Sequence, residues 1–198
     1  MTPEQRQIET HPWAPWLPPT ARVLFMGTFP PGRHRWSMDF YYPNPQNDFW
    51  RIIGLIFMGD AEGLRVGGER RFDINAIKRL TAERGIAMSD SVKRAIRLRG
   101  NASDNFLQVV EANQPADLIA AMPLCHDIAT TGEKAAKVIA EMTGTKAPAM
   151  GEYDLWATPD GRSVRIWRMP STSRAFASMN LGQKAAYYEK LFRECGIL

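Results

Sequence analysis

The sequence predicts an α/β fold of three layers, α/β/α, around a mainly parallel central sheet. The first reason is alternation: short apolar runs of strand length take turns with longer segments whose apolar residues recur at helical spacing. The second is size, since 198 residues with 44% hydrophobic content can bury one full core. One hairpin interrupts the alternation, at Asp160-Gly161, where strand-forming residues flank a strong turn pair.

The elements follow in order. Residues 1–20 form a Pro/Trp-rich extension expected to pack on a single domain of residues 21–198; His11 to Thr20 carry four prolines and two tryptophans, which favour an extended path with indoles laid on a core. Arg22 to Met26 is a buried strand ended by Gly27. Asn47 or Asp48 opens a helix whose residues Phe49, Trp50, Ile52, Ile53, Ile56 and Phe57 bury a broad face. Gly59 to Gly68, with four glycines, reads as a mobile loop. Asp73 is a suitable N-cap for a helix to about Glu83, closed by Gly85 and followed by a strand at Ile86 to Met88. Asp104 to Asn113 is expected to be a helix stopped before Pro115, with Ile119 either extending it or forming an edge element. Asp127 to Thr130 is a strand, Thr131-Gly132 turns into the helix Glu133 to Met142, Tyr153 to Ala157 pairs with Val164 to Trp167, and Gln183 to Glu194 closes the chain as a helix.

Composition narrows the function classes. Lys and Arg exceed Asp and Glu by 25 to 21, a net charge of +4 and a mild bias toward polyanions. Arg33, His34 and Arg35 lie in a polar loop, Lys93, Arg94, Arg97 and Arg99 cluster mid-chain, and Arg165, Arg168 and Arg174 flank a second loop. Ordinary solvated charge is the competing reading of the middle cluster. Cys125 and Cys195, without a CxxC or paired His spacing, argue against a disulfide framework, a structural zinc site or an iron-sulfur cluster, so no metal or cofactor is expected. The three histidines, His11, His34 and His126, are not spaced as ligands and are expected on the surface or in loops. The N-terminus lacks a signal-type apolar region and no run is long enough to span a bilayer, which points to a cytoplasmic protein, expected to be monomeric.

Two polar segments carry the chemistry. The first runs from Gly27-Thr28-Phe29-Pro30-Pro31 to Tyr41-Tyr42-Pro43-Asn44-Pro45-Gln46-Asn47-Asp48-Phe49-Trp50, and the second is Met169-Pro170-Ser171-Thr172-Ser173-Arg174. Each follows a strand, where open α/β sheets bind ligands. The ordered set G-T-F-P-P, Y-Y-P-N-P-Q-N-D-F-W-R-I-I and M-P-S-T-S-R resembles the uracil-DNA glycosylase superfamily, most nearly its mismatch-specific and hypoxanthine-type branches. Gly85-Ile86-Ala87-Met88-Ser89-Asp90 and the Thr131-Gly132 turn extend the likeness over most of the chain from Arg22 onward.

The resemblance implies a monofunctional glycosylase whose partner is DNA: it flips a deaminated base (uracil, hypoxanthine or xanthine) from the stack and hydrolyses its N-glycosidic bond in base-excision repair, without a cofactor. By position, Tyr42 is the stacking ring, with Phe29 as second candidate; Gly27 and the backbone of Thr28 and Phe29 face the base; Thr131 lies where an asparagine often reads it. Phe29 replaces the asparagine of the mismatch-specific branch, and the catalytic amide carries over to Asn47, as in the hypoxanthine-type branch. Asp48 and Asp39 are alternative carboxylates, though neither matches a motif position. Pro170, Ser171, Thr172 and Ser173 suit a pinched phosphate backbone, and Arg174, or Phe176 beyond it, would fill the vacated stack. No lysine occupies either motif, so no Schiff-base step is expected.

Other readings of the same residues stay open. Asn47 is also a good helix cap, Tyr42 a plain loop aromatic, and the Ser-Thr-Ser run a capping turn. A non-catalytic nucleic-acid-binding member of the same fold is the alternative function. A small-molecule hydrolase or nucleotide-binding protein is disfavoured by the lack of G-x-S-x-G, a P-loop and G-x-G-x-x-G.

Overall fold

The fully buried run Val23 to Met26 divides between two apolar clusters, Val23 and Phe25 in one, Leu24 and Met26 in the other. Strand side chains alternate between faces, so a strand buried on both faces lies inside a sheet covered on both sides. A computed structural model, which describes residues 7–99 and 106–198, has this arrangement.

The strands are β1 (Ile8–Thr10), β2 (Val23–Gly27), β3 (Ile86–Asp90), β4 (Val92–Arg97), β5 (Leu107–Ala112), β6 (Asp127–Thr131), β7 (Tyr153–Ala157) and β8 (Ser163–Met169). The helices are α1 (Phe49–Met58), α2 (Ile74–Arg84), α3 (Pro115–Ala120), α4 (Glu133–Thr143) and α5 (Leu181–Glu194). The central sheet runs β3-β2-β6-β8-β7. β2 pairs in parallel with β3 and β6, and β8 in parallel with β6, while β7 is antiparallel to β8. Beside it stands a smaller antiparallel sheet, β1-β4-β5. The α/β class therefore holds, but the strands are of mixed direction rather than simply parallel. α1, α2 and α5 cover one face through Phe49, Ile77 and Leu191, and α3 and α4 the other through Leu118 and Ile139.

Several ends follow directly from local chemistry. Asp73 caps α2, its carboxylate accepting the N–H groups of Asn75 at 2.9 Å and Ala76 at 3.0 Å. Asn180 and Gln183 form a reciprocal capping box at α5. The hairpin at Asp160-Gly161 joins β7 to β8 as expected.

One expected helix is not there. Of the stretch Asp104 to Asn113, residues 104 and 105 lie outside the described residues, and the remainder contains strand β5. Leu107 and Val109, two apart, both turn to Val92 and Ala95 of β4, so a period of two outweighs helix propensity here. Pro115 then begins α3 instead of marking a helix end, since a first-turn proline loses no hydrogen bond. Ile119 belongs to that helix and is fully buried. Among the described residues no helix is long and apolar enough to cross a membrane.

Candidate active site

The carboxyl ends of four strands meet at one place. Gly27 of β2 stands beside Asp90 of β3, and Thr131 of β6 beside Met169 of β8. The two polar loops leave β2 and β8 from this edge and enclose a cleft of about 650 Å³. Gly27, Thr28, Phe29, Tyr42, Asn47, Thr131, Ser171, Thr172 and Ser173, nine residues singled out from sequence, line it together. Pro170, Asp48 and Arg174 do not.

Tyr42 is held firmly. Phe49 stacks on its ring at 4.0 Å and 9°, and its hydroxyl is 2.7 Å from Thr131 Oγ1. Among the described residues it is the single non-glycine with a left-handed backbone, φ 52°, a conformation costing on the order of 1–3 kcal/mol and persisting only where surroundings enforce it. Burial, then the nearby Asp90 charge, pushes its phenol well above the ordinary range, so the group stays neutral. Thr131, expected to read a base, is thus already engaged by the ring expected to stack on it.

Asn47 and Asp48 diverge although adjacent. Asn47 faces the cleft from the position before the α1 N-cap, Asp48, and its Oδ1 accepts the Phe49 N–H, a first-turn donor of that helix, at 2.8 Å. A carbonyl oxygen has two lone pairs, which leaves one for a water. Asp48, by contrast, turns into the protein: Lys184 of α5 donates to its Oδ2 at 2.8 Å and Arg51 to its Oδ1 at 3.1 Å. Lys184 is 1% exposed. Both oxygens of the carboxylate expected from sequence as an alternative base are thus taken by ion pairs, and the residue does not line the cleft. Asp39 is likewise removed, exposed and bound by the Trp13 indole at 2.8 Å.

The same lysine ties the two loops together. Its Nζ also donates to the Ser173 carbonyl at 3.3 Å, and the Asp48 N–H donates to the Thr172 carbonyl at 2.9 Å. Pro170, whose carbonyl accepts the Tyr188 hydroxyl at 3.0 Å, anchors the second loop from below. Ser171 and Ser173 hydroxyls accept N–H groups two residues on, the serine turn considered from sequence. Gly132, with φ 122°, lets β6 turn into α4 beneath Ser171. Arg174 points elsewhere, into a separate basic depression of about 240 Å³ with Arg51, Arg65 and Arg70. Phe176 is the large side chain of this loop that lines the cleft.

Two residues of the site were not singled out from sequence. Asp90 is the single carboxylate on the cleft wall among the described residues. Its Oδ2 accepts from His11 Nε2 at 2.9 Å, while Oδ1 lies only 2.6 Å from where a Cβ on residue 27 would stand. Gly27 is therefore required by this close approach. His11 lies in the loop after β1, one of the two places expected for it, but its side chain is only 5% exposed, and its Nδ1 faces the Trp13 carbonyl at 3.0 Å. Burial alone would lower its pKa, but the Asp90 hydrogen bond and charge, with the Trp13 carbonyl, raise it overall. Asp90 ends a strand at the ligand-binding edge, a signal open to sequence reasoning; nothing in the sequence pairs His11 with it.

The mid-chain basic cluster is largely committed. Lys93 and Arg94 pair with Glu111, Arg97 pairs with Glu9 and covers the Phe29 ring, and Arg99 lies over Phe106. Both cysteines are buried free thiols, and burial pushes that of Cys125 up to about 12.

No family model and no curated protein matches the chain. Among solved structures, it is similar to the solution NMR structure of a putative uracil DNA glycosylase from Methanosarcina acetivorans, with a TM-score of 0.64 and 19% identity over 96% of this chain and 99% of that one. The two chains share a fold along nearly their whole lengths.

Proposed function

We propose that this chain is a monofunctional DNA glycosylase that extrudes a deaminated base (uracil, hypoxanthine or xanthine) and hydrolyses its N-glycosidic bond, most like the mismatch-specific and hypoxanthine-type branches. The observation that carries the reading is the meeting, in one cleft, of a locked aromatic ring, an amide and a serine-threonine loop. These are the parts that base extrusion and glycosidic cleavage require. The shared fold with a protein described as a putative uracil DNA glycosylase supports it.

In this reading the flipped base enters beside Tyr42, where stacking supplies affinity with little base choice. Backbone N–H groups past β2 stabilise the departing base as charge develops on it, an arrangement that often provides the largest catalytic contribution. Asn47 holds the attacking water by its carbonyl oxygen. Ser171 to Ser173 grip the sugar-phosphate chain, and Phe176, which reaches the cleft, fills the vacated stack. Arg174 then serves the flanking phosphates with its arginine neighbours instead of the stack.

The alternative is a non-catalytic binding protein of the same fold, favoured by Phe29, which cannot orient a water. A base-release assay on oligonucleotides carrying uracil, hypoxanthine or xanthine, single-stranded and opposite each normal base, decides between them. Release by the native chain, abolished in Asn47→Ala with DNA affinity retained, is the expected result. Binding without release from any substrate establishes the alternative. Because Asn47 Oδ1 also accepts the Phe49 N–H at the start of α1, the variant is expected to lose about 1 kcal/mol of stability with that hydrogen bond, a cost small enough to leave it folded.

A further inference from the structure

Where a carboxylate or amide could follow β2, this chain has Phe29, an apolar ring packed against the β4-β5 cluster. One strand away, at the same edge of the sheet, stands Asp90, in register with Gly27. Its two oxygens are not equivalent. Oδ2 is held by His11, whereas Oδ1 receives no hydrogen bond among the described residues and lies against Gly27 on the cleft wall. The Asn113 amide donates to the Asp90 backbone carbonyl at 2.7 Å, fixing the residue further.

We propose that Asp90 is the catalytic base and electrostatic partner of the reaction, with His11 as its positioning residue, so that the carboxylate displaced from the end of β2 is supplied from the end of β3. The assignment rests on the glycosylase reading above. An amide such as Asn47 can orient water but accepts its proton poorly; a carboxylate in the same cleft removes that weakness. The C1′–N bond breaks with its electron pair leaving on the base, and the ionised Asp90 stabilises the cationic sugar left behind. Water oxygen then bonds to C1′, and its proton passes to Asp90 Oδ1 and from there to the departed base anion or solvent. The products are the free base and an abasic sugar.

His11 acts by geometry and charge. It reaches Asp90 from the N-terminal segment, enclosed by Trp13, Phe29 and Tyr41 at ring distances of 5.5 to 5.7 Å. The bond it donates to Oδ2 turns Oδ1 toward the cleft, so the segment that precedes β2 completes the site.

The test is single-turnover base release from the oligonucleotides above, with affinity for the same DNA measured in parallel. Asp90→Asn keeps the shape and an acceptor for His11, so folding is retained; release is expected to fall by about 10²–10⁴-fold, the usual worth of a general base, with affinity changed little. Formate added to Asp90→Ala should restore part of the rate by occupying the space of the lost carboxylate. His11→Ala should lower the rate by less than Asp90→Asn, and His11→Gln, which keeps a donor for Oδ2, should recover most of that loss. These variants leave Asp90 in place and read the assignment independently of any substitution at 90. A native chain that releases base while Asp90→Asn does so equally fast overturns the assignment alone. A native chain that releases nothing overturns the glycosylase reading, and the assignment with it.

Discussion

Two buried carboxylates lie close to the cleft, each held by a basic side chain from a distant part of the chain, and their surroundings differ. Asp48 is gripped by Lys184 from α5 at 2.8 Å and by Arg51, with both oxygens occupied and neither on the cleft wall. Asp90, which lines the cleft, is held by His11 at 2.9 Å through one oxygen, and the other lies against Gly27 with no hydrogen bond among the described residues. A saturated carboxylate joins elements, while a half-saturated one retains capacity to accept a proton. Under the assignment proposed above, burial and pairing alone do not separate the two carboxylates; the number of occupied oxygens does.

The sharpest way to break this comparison is to remove the structural cation. Lys184→Met leaves Asp48 buried with Arg51 alone and also frees the Ser173 carbonyl, so unfolding free energy should drop by about 3–5 kcal/mol in denaturant titrations. Asp48→Asn combined with Lys184→Met should recover much of it, since replacing both partners of a buried pair is often close to neutral. A loss below about 1 kcal/mol in the single variant would show that the pair is not what holds the two loops together.

The second pair differs in responding to pH near neutrality. His11 titrates above its ordinary 6.5 in the folded chain, because Asp90 outweighs the opposing effect of burial. Below 6.5 the imidazolium is present in both folded and unfolded chains, and its full stabilisation is realised. As pH rises the unfolded chain loses the proton first, so stability declines until the raised folded value is passed. The groups facing His11 are Asp90 and the stacked Tyr41 phenol, and burial holds the latter well above its usual range, out of this window. The melting temperature should therefore fall from pH 6.5 upward in the native chain and in Lys184→Met alike, and the slope should vanish in His11→Gln. A slope that survives in His11→Gln would place its origin elsewhere.

The contrast also explains what sequence could reveal. Elements governed by one local rule were legible: Asp73 and Gly85 bound α2, Asp160-Gly161 turns the β7-β8 hairpin, and the two loops do meet in one cleft. Where two rules compete, the reading failed, as in β5, whose Leu107 and Val109 alternate toward a partner strand that lacks an obvious apolar pattern of its own. Asn47 and Asp48 are adjacent and similar in chemistry, yet which of them faces the cleft depends on Lys184, 136 residues beyond Asp48. The His11–Asp90 pair spans 79 residues and joins a segment read only as packing to a strand end. Long-range charge pairing of this kind leaves no periodicity in the chain.

The smallest expected effect concerns the exterior of the site. Arg174 was expected to fill the DNA stack, but it faces a depression shared with Arg51, Arg65 and Arg70, of which Arg51 and Arg65 are paired with carboxylates. An arginine so placed offers charge to a phosphate and no bulk to a base stack. Phosphate contacts release counterions, so Arg174→Ala should weaken DNA binding uniformly across sequences and reduce the slope of log affinity against log salt by about 1. Single-stranded and duplex DNA should be affected to a similar degree, because both carry the phosphate that is contacted. A wedge would behave otherwise, its loss penalising duplex substrates more and leaving the salt slope unchanged. Phe176→Ala supplies the complementary case: it lines the cleft, carries no charge, and should show the duplex-selective loss that Arg174→Ala lacks.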